Sequence, residues 1–81
     1  MQLEILTPKK NVFSGEVKLV KVPGSNGSFE IMKNHAAVIS TLVEGELKVI
    51  TEPDETLRYK ISGGVVEVRD NKVVVLAEAI D

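Results

Sequence analysis

The feature that most constrains this chain is a two-residue alternation of apolar and polar side chains, interrupted by turn-forming residues at short intervals. In Leu57–Ser62 the residues Leu57, Tyr59 and Ile61 face one way, while the residues between them face water. Similar alternation occurs at residues 2–6, 46–49 and 65–69. A composition of 13 Val and 6 Ile against 4 Ala favours strand over helix. The sequence therefore predicts an all-β fold, either a sandwich or a barrel of short strands.

Two segments predict departures from a regular strand. Between Val17 and Val22 the inward-facing set changes phase, so we expect a bulge or bend near Leu19. Residues 73–76 are apolar on both faces, which is typical of a central strand covered on both sides or of a strand bordering a partner.

Turn residues predict where the strands end. Asp70 and Asn71 tolerate positive φ, which predicts a two-residue hairpin joining residues 65–69 to residues 72–77. Ser14-Gly15 is predicted as another turn. Residues 34–42 carry no sustained helical periodicity and predict at most a short turn.

Length and charge exclude several classes of function. Because 81 residues can bury one core, we expect one domain over residues 1–81. A formal net charge of −2 provides neither the basic field that nucleic acid requires nor a polybasic lipid-binding patch. The absence of cysteine and the single histidine argue against thiol chemistry and a histidine-rich metal site. No apolar run has the length of a signal or a membrane span, so we expect membrane association only through another protein, without direct lipid insertion.

No residue pattern predicts catalysis. Gly24 and Gly27 bracket Ser25 and Asn26, but their spacing matches neither a dinucleotide fingerprint nor a P-loop, so a turn or contact loop is expected. His35 lacks a recognisable nucleophile and orienting partner in sequence, which favours a turn histidine. The carboxylates are scattered singly on polar faces and turns, as solvated charges are. The chain is therefore predicted to be a binding module rather than an enzyme.

One alternative assigns a function to Lys33. Domains that carry biotin or lipoate are all-β, have about this length and present a modified lysine at a hairpin tip, often after methionine as in Met32-Lys33. Residues 34–37, however, do not resemble the second strand of a tight hairpin. A biotinyl or lipoyl carrier with Lys33 as the modified residue is the alternative hypothesis.

Several segments, taken together, resemble one family over nearly the whole chain. They are Thr7-Pro8 with residues 12–17, then residues 22–29 with His35-Ala36, Thr41-Leu42 and residues 44–47, and finally residues 62–68 with residues 71–77. In this order and spacing the chain resembles the N-terminal β-sandwich domain of the epsilon subunit of rotary F-type ATP synthases, a subunit called delta in mitochondria.

The resemblance implies a two-sheet β-sandwich of short, mostly antiparallel strands in a non-catalytic subunit of the central stalk. Such a subunit links the gamma subunit to the membrane c-ring and couples proton flow to ATP synthesis. The F1 alpha/beta assembly is expected to be only an indirect partner. No cofactor is implied. The expected location is the cytoplasmic face of the bacterial inner membrane, as a peripheral part of the F1 sector.

Contact residues follow from the resemblance position by position. The loop Gly24, Ser25, Asn26, Gly27 and Ser28 is expected on the c-ring side, and Thr7 and His35 are expected at the gamma or ring interface.

The sequence also departs from that family in two places. The family's usual small, Pro- and Gly-containing approach to the histidine is replaced by Glu30, Lys33 and Asn34, and Ala37 stands where proline is common. The family usually continues into a C-terminal helical hairpin, whereas this sequence ends at Asp81. The sequence is therefore expected to be either a naturally short form that lacks the hairpin or an excised domain, and the start at Met1 slightly favours the short form.

Overall fold

Strand pairing organises the chain, and the computed structural model describes all of residues 1–81 as strands, turns and connecting loops without a helix. The strands are β1 (Gln2–Leu6), β2 (Asn11–Val22), β3 (Phe29–Met32), β4 (Val38–Leu42), β5 (Gly45–Thr51), β6 (Thr56–Ile61), β7 (Gly64–Arg69) and β8 (Lys72–Ala77). Accordingly, the structure contains no helix that could cross a membrane. The predicted all-β class is confirmed.

The strands form two sheets that share β2. The first sheet has the order β4-β7-β8-β1-β2, and the second contains β3, β2, β5 and β6. All neighbouring strands are antiparallel except β1 and β8, which run parallel. The first part of β2 pairs with β1, and its second part pairs with β3 and β5. A long strand that changes sheets in this way makes a corner of a β-sandwich.

The core lies between the two sheets and is built from the inward-facing member of each alternating pair. Because side chains alternate across a strand, each of the eight strands contributes at least one buried inward residue to this core. The largest fully buried side chains are Leu3, Ile5, Val17, Val20, Val22, Ile31, Leu47, Val49, Val66, Val73 and Val75.

Two irregularities appear where the sequence predicted them. The pairing of β2 with β5 shifts register between Val17 and Leu19, which confirms the predicted bulge. The hairpin between β7 and β8 turns at Asp70 and Asn71, whose φ angles are 51° and 63°. Positive φ at both central residues is the conformation of a type I′ turn, whose twist matches the flanking strands.

Two predicted turns are wrong. Ser14-Gly15 lies inside β2, where Ser14 pairs with Glu4 and Gly15 pairs with Leu3, because the ladder with β1 holds this segment extended. Residues 38–42 form β4 rather than a short turn, since all five residues pair with β7. The polar Ser40 interrupts the inward-facing apolar residues of β4 and conceals the alternation in the sequence.

Candidate functional site

The predicted contact loop, Gly24–Ser28, joins β2 to β3 and has a firmly held base. The backbone N–H of Ser25 donates to the carbonyl oxygen of Thr41 at 3.0 Å, and the N–H of Val43 donates to that of Pro23 at 2.9 Å. The Ser25 hydroxyl donates to the same Thr41 carbonyl at 3.0 Å and also bonds the Thr41 hydroxyl. The start of the loop is therefore bonded to the end of β4 in the first sheet, whereas the strand that follows the loop, β3, belongs to the second sheet.

The tip of the loop, by contrast, is free. The N–H of Gly27 donates to the carbonyl oxygen of Gly24 at 3.0 Å and closes a tight turn. Gly27 has a φ of 120°, and no atom lies within 4 Å of the position a Cβ would take. All residues from Ser25 to Ser28 are exposed. This part of the loop can contact another molecule without unfolding.

Gly24 is required by close packing rather than by an unusual φ. A Cβ at this buried position would lie 2.7 Å from the Gly27 carbonyl oxygen and 2.9 Å from Cε1 of Phe29. Real Cβ atoms do not approach neighbours so closely, so any side chain here would displace the turn or the Phe29 ring.

His35 packs near the Phe29 ring, and its side-chain hydrogen bond is to the backbone. Its ring centroid lies 6.3 Å from that of Phe29, and its Nδ1 donates to the carbonyl oxygen of Ala36 at 2.7 Å. No group of three or more histidine, cysteine or acidic side chains is arranged to hold a metal ion. His35 is a half-buried turn residue, and the Phe29 ring beside it also lies close to Gly24 of the contact loop.

Thr7 lies apart from this cluster, at the end of β1. Its hydroxyl accepts hydrogen bonds from the N–H groups of Lys9 and Lys10 at 3.3 and 3.2 Å, and its own N–H donates to the Lys10 carbonyl oxygen. These bonds order the turn between β1 and β2. Thr7 also borders an open groove of about 690 Å³, whose opposite wall includes Thr41. Thr41 therefore takes part in two neighbouring features, the groove that Thr7 borders and the base of the contact loop, which it holds through its bonds to Ser25.

An exposed apolar surface crosses the outer face of the first sheet, and the predicted site residues do not include it. Cross-strand pairing aligns Val65, Leu76 and Leu6 in one row, with Ile39 and Val74 in the next; these five residues are called the apolar strip. Ile39 is 72% exposed and Leu76 is 52% exposed. The sequence contained one indication of this surface, because residues 73–76 are apolar on both faces of the strand. The core covers only one face of β8, so the apolar side chains on its other face lie on the surface.

The environment of Lys33 does not suit a carrier domain. Lys33 is exposed between β3 and β4, but β3 pairs with β2 and β4 pairs with β7. The two flanking strands thus belong to different sheets, and Lys33 does not occupy the tip of a hairpin. The alternative hypothesis loses the structural context that it requires.

Two ionisable groups have a shifted pKa, and neither shift activates a group near neutral pH. A hydrogen bond from Nζ of Lys18 to the Asp54 carboxylate, 2.6 Å long, raises the pKa of Lys18. Burial, reinforced by the Glu55 carboxylate, raises the pKa of Tyr59. Both shifts favour the form already present at neutral pH, a charged lysine and a neutral tyrosine.

Comparison with known proteins agrees with this geometry. The family model described as "ATP synthase, Delta/Epsilon chain, beta-sandwich domain" matches residues 1–81. The ATP synthase epsilon chain of Protochlamydia amoebophila is 42% identical over 79 residues, which are 98% of this chain and 54% of that protein. That of Pelotomaculum thermopropionicum is 41% identical over 80 residues, 99% of this chain and 59% of that protein. That of Chlorobaculum tepidum is 37% identical over 78 residues, 96% of this chain and 89% of that protein. The chain thus spans little more than half the length of the first two relatives.

Solved structures show the same fold. A chain in the Euglena gracilis mitochondrial ATP synthase, described as OSCP/F1/c-ring, superposes with a TM-score of 0.91 at 22% identity, covering 98% of this chain and 51% of that one. A chain in the central stalk/c-ring of the Tetrahymena thermophila mitochondrial ATP synthase gives 0.85 at 22% identity, covering 100% of this chain and 65% of that one.

Proposed function

Because the chain belongs to the ATP synthase delta/epsilon family through its β-sandwich domain, we propose that it is a non-catalytic rotor subunit of the central stalk of an F-type ATP synthase. In this role residues 1–81 act as one domain that links the gamma subunit to the c-ring and couples proton flow to ATP synthesis. The subunit is peripheral, at the cytoplasmic face of a bacterial inner membrane. The match of the family model to residues 1–81 is the observation that carries the proposal.

The apolar strip supports a docking face for the gamma subunit. The side chains of Ile39 and Leu76 are large, apolar and mostly exposed to water. An exposed apolar patch of this kind often marks a site of protein–protein interaction. Glu67 and Glu4 alternate with Ile39 and Val74 along the second row, so the continuous apolar row Val65, Leu76 and Leu6 has acidic residues beside it. An apolar centre with charged residues beside it is the composition of a protein interface. Thr7 and Thr41 border the same face.

The contact loop supports the second proposed contact, with the c-ring. Its exposed tip is small and polar, which suits polar loops of a neighbouring subunit, and its base is held by the bonds between Ser25 and Thr41. A loop that is free at the tip and fixed at the base can bear against another subunit without losing its position.

Restoration of coupling tests both contacts. Membranes depleted of their own epsilon subunit are supplemented with this chain, and proton-driven ATP synthesis is measured. The chain is expected to restore coupling, whereas Ser28→Arg is expected to restore much less, because the arginine must enter a subunit contact. Glu52→Arg, which places the same side chain in the exposed turn between β5 and β6, serves as the control.

Thermal unfolding of both variants excludes a folding defect, since exposed substitutions usually change stability by less than about 0.5 kcal/mol. If Ser28→Arg and Glu52→Arg restore coupling equally, the loop does not dock on the ring. If the unmodified chain restores nothing and does not bind the depleted complex, the central-stalk assignment is wrong.

A further inference from the structure

The C-terminal residues continue past β8 and add a short ladder to the edge of β6. The N–H of Asp81 donates to the carbonyl oxygen of Lys60 at 2.9 Å, and the N–H of Lys60 donates in return to Asp81 at 3.4 Å. The N–H of Ser62 donates to Ala79 at 3.2 Å, and Ile80 pairs with Ile61 in the antiparallel sense. The tail thus covers one end of an edge that β5 leaves open.

Within residues 1–81, no other segment pairs with the rest of this edge, residues 56–59. Because backbone groups alternate in direction along a strand, the N–H and C=O of Arg58 and Thr56 point the same way as those of Lys60, away from β5. Lys60 uses both groups to bind Asp81, whereas Arg58 and Thr56 form no backbone bond on that side. These unpaired groups are a template for another strand.

The side chains of the tail show which sequence this edge accepts. Ile80 lies opposite Ile61 and packs against the core, while Asp81 lies opposite Lys60 on the outer face. One step further along β6, the inward position is Tyr59 and the outward position is Arg58. The guanidinium of Arg58 donates to the Glu46 carboxylate at 2.7 Å through Nη1, and its remaining N–H donors can bind a second carboxylate. A strand that continued this ladder would therefore place an apolar side chain opposite Tyr59 and an acidic one opposite Arg58.

We propose that the open edge of β6 is a strand-addition site for an extended segment of a partner protein in which apolar and acidic residues alternate. Main-chain hydrogen bonds to Arg58 and Thr56 supply the binding, and the alternating side chains supply the selectivity. A second copy of this chain is disfavoured, since antiparallel pairing of two β6 edges brings the cationic Arg58 and Lys60 of both copies together. The site lies on the second sheet, away from the apolar strip, and does not depend on the central-stalk function.

Amide hydrogen exchange followed by NMR tests the site, with a capped synthetic peptide of alternating valine and glutamate as the probe. The amides of Arg58 and Thr56 are expected to become protected when the peptide is added. Those of Leu57 and Tyr59, which face β5, are expected to change little. The amide of Lys60, already bonded to Asp81, is the internal reference. A peptide of alternating valine and lysine, and a valine–glutamate peptide methylated on its backbone nitrogens, are expected to bind much more weakly.

A proline variant separates strand addition from simple charge attraction. Thr56→Pro removes an outward N–H at the first residue of an edge strand, a position that tolerates proline. This variant is expected to bind the valine–glutamate peptide about tenfold more weakly, because one backbone hydrogen bond is lost. The Thr56→Val variant is expected to bind the peptide as tightly as the unmodified chain does. Thermal unfolding of both variants checks that each of them folds.

Three results would each overturn the inference. The first is an absence of protection at Arg58 and Thr56 at saturating peptide. The second is equal binding of the lysine-containing or backbone-methylated peptide. The third is protection of these amides in the free chain together with dimerisation in sedimentation, which would assign the edge to a second copy.

Discussion

The apolar strip permits a direct comparison of the two outer faces of the sandwich, because each carries an apolar side chain of nearly equal exposure. Leu76 on the first sheet is 52% exposed, and Met32 on the second is 51% exposed. Replacing either by threonine removes a similar apolar surface while keeping a residue suited to strands. If the gamma subunit docks on the strip, Leu76→Thr weakens assembly and Met32→Thr does not.

The size of the effect follows from the exposed fractions. Full burial of a leucine or isoleucine side chain is worth about 1.5–3 kcal/mol. The exposed half of Leu76 therefore represents about 1 kcal/mol on docking, and the larger exposed part of Ile39 about 1.5–2 kcal/mol. A double variant, Ile39→Thr with Leu76→Thr, is expected to bind about 100-fold more weakly, because each tenfold change is about 1.4 kcal/mol.

The assay is titration of the fluorescently labelled chain onto ATP synthase complexes depleted of epsilon, with the thermal unfolding of each variant measured in parallel. Stability is expected to fall by less than about 1 kcal/mol for each substitution, since the surface removed is mostly outside the core. Equal weakening by Leu76→Thr and Met32→Thr, or unchanged binding of the double variant, would refute the assignment of this face.

Three further predictions concern stability, ionisation and modification. Gly24→Ala is expected to cost about 1–3 kcal/mol of folding free energy, because its Cβ meets the Gly27 carbonyl and the Phe29 ring, and chemical denaturation compared with that of Ser28→Ala measures it. The raised pKa of Tyr59 contributes stability that is present below about pH 10 and lost as pH rises through the folded-state value, so Tyr59→Phe should flatten the alkaline limb of the unfolding curve. Intact mass after co-expression with a biotin or lipoate ligase should show no adduct on Lys33, and an adduct would restore the carrier hypothesis.

The sequence predicted the strands whose alternation is complete, and it missed pairings that depend on distant residues. Leu57, Tyr59 and Ile61 face inward as expected, and the bulge near Leu19 follows from the phase of neighbouring valines. The parallel pairing of β1 with β8 carries no local signal, because its two strands are separated by almost the whole chain. β4 escaped detection because its alternation includes Ser40 and only one of its edges pairs with another strand.

The same limit applies to the site. The spacing of Gly24 and Gly27 predicted a turn or contact loop, and the turn is confirmed; its role in contact remains a prediction. The hydrogen bonds between Ser25 and Thr41 could not be predicted from the sequence, because 16 residues separate the two and no periodicity links a loop to the end of a strand. The apolar strip was only half visible, because residues 73–76 indicated a second apolar face and Ile39 gave no such signal.

Strand β2 explains how a contact at the loop can be transmitted to the whole domain. The loop continues directly from Val22, the last residue of β2, and β2 pairs with β1 in the first sheet and with β5 in the second. The base of the loop is also bonded to β4, at the far edge of the first sheet. A sideways force on the tip is therefore transmitted to both sheets through the backbone of β2. It is also transmitted to the first sheet through the hydrogen bonds between Ser25 and Thr41. Since the core between the sheets is close-packed, neither sheet can shift without disturbing the other. A loop joined only to a terminal hairpin would bend under such a force. The base of this loop is instead held to the sandwich by both the backbone of β2 and the bonds to β4, so the base moves together with the sandwich, as the proposed rotor requires.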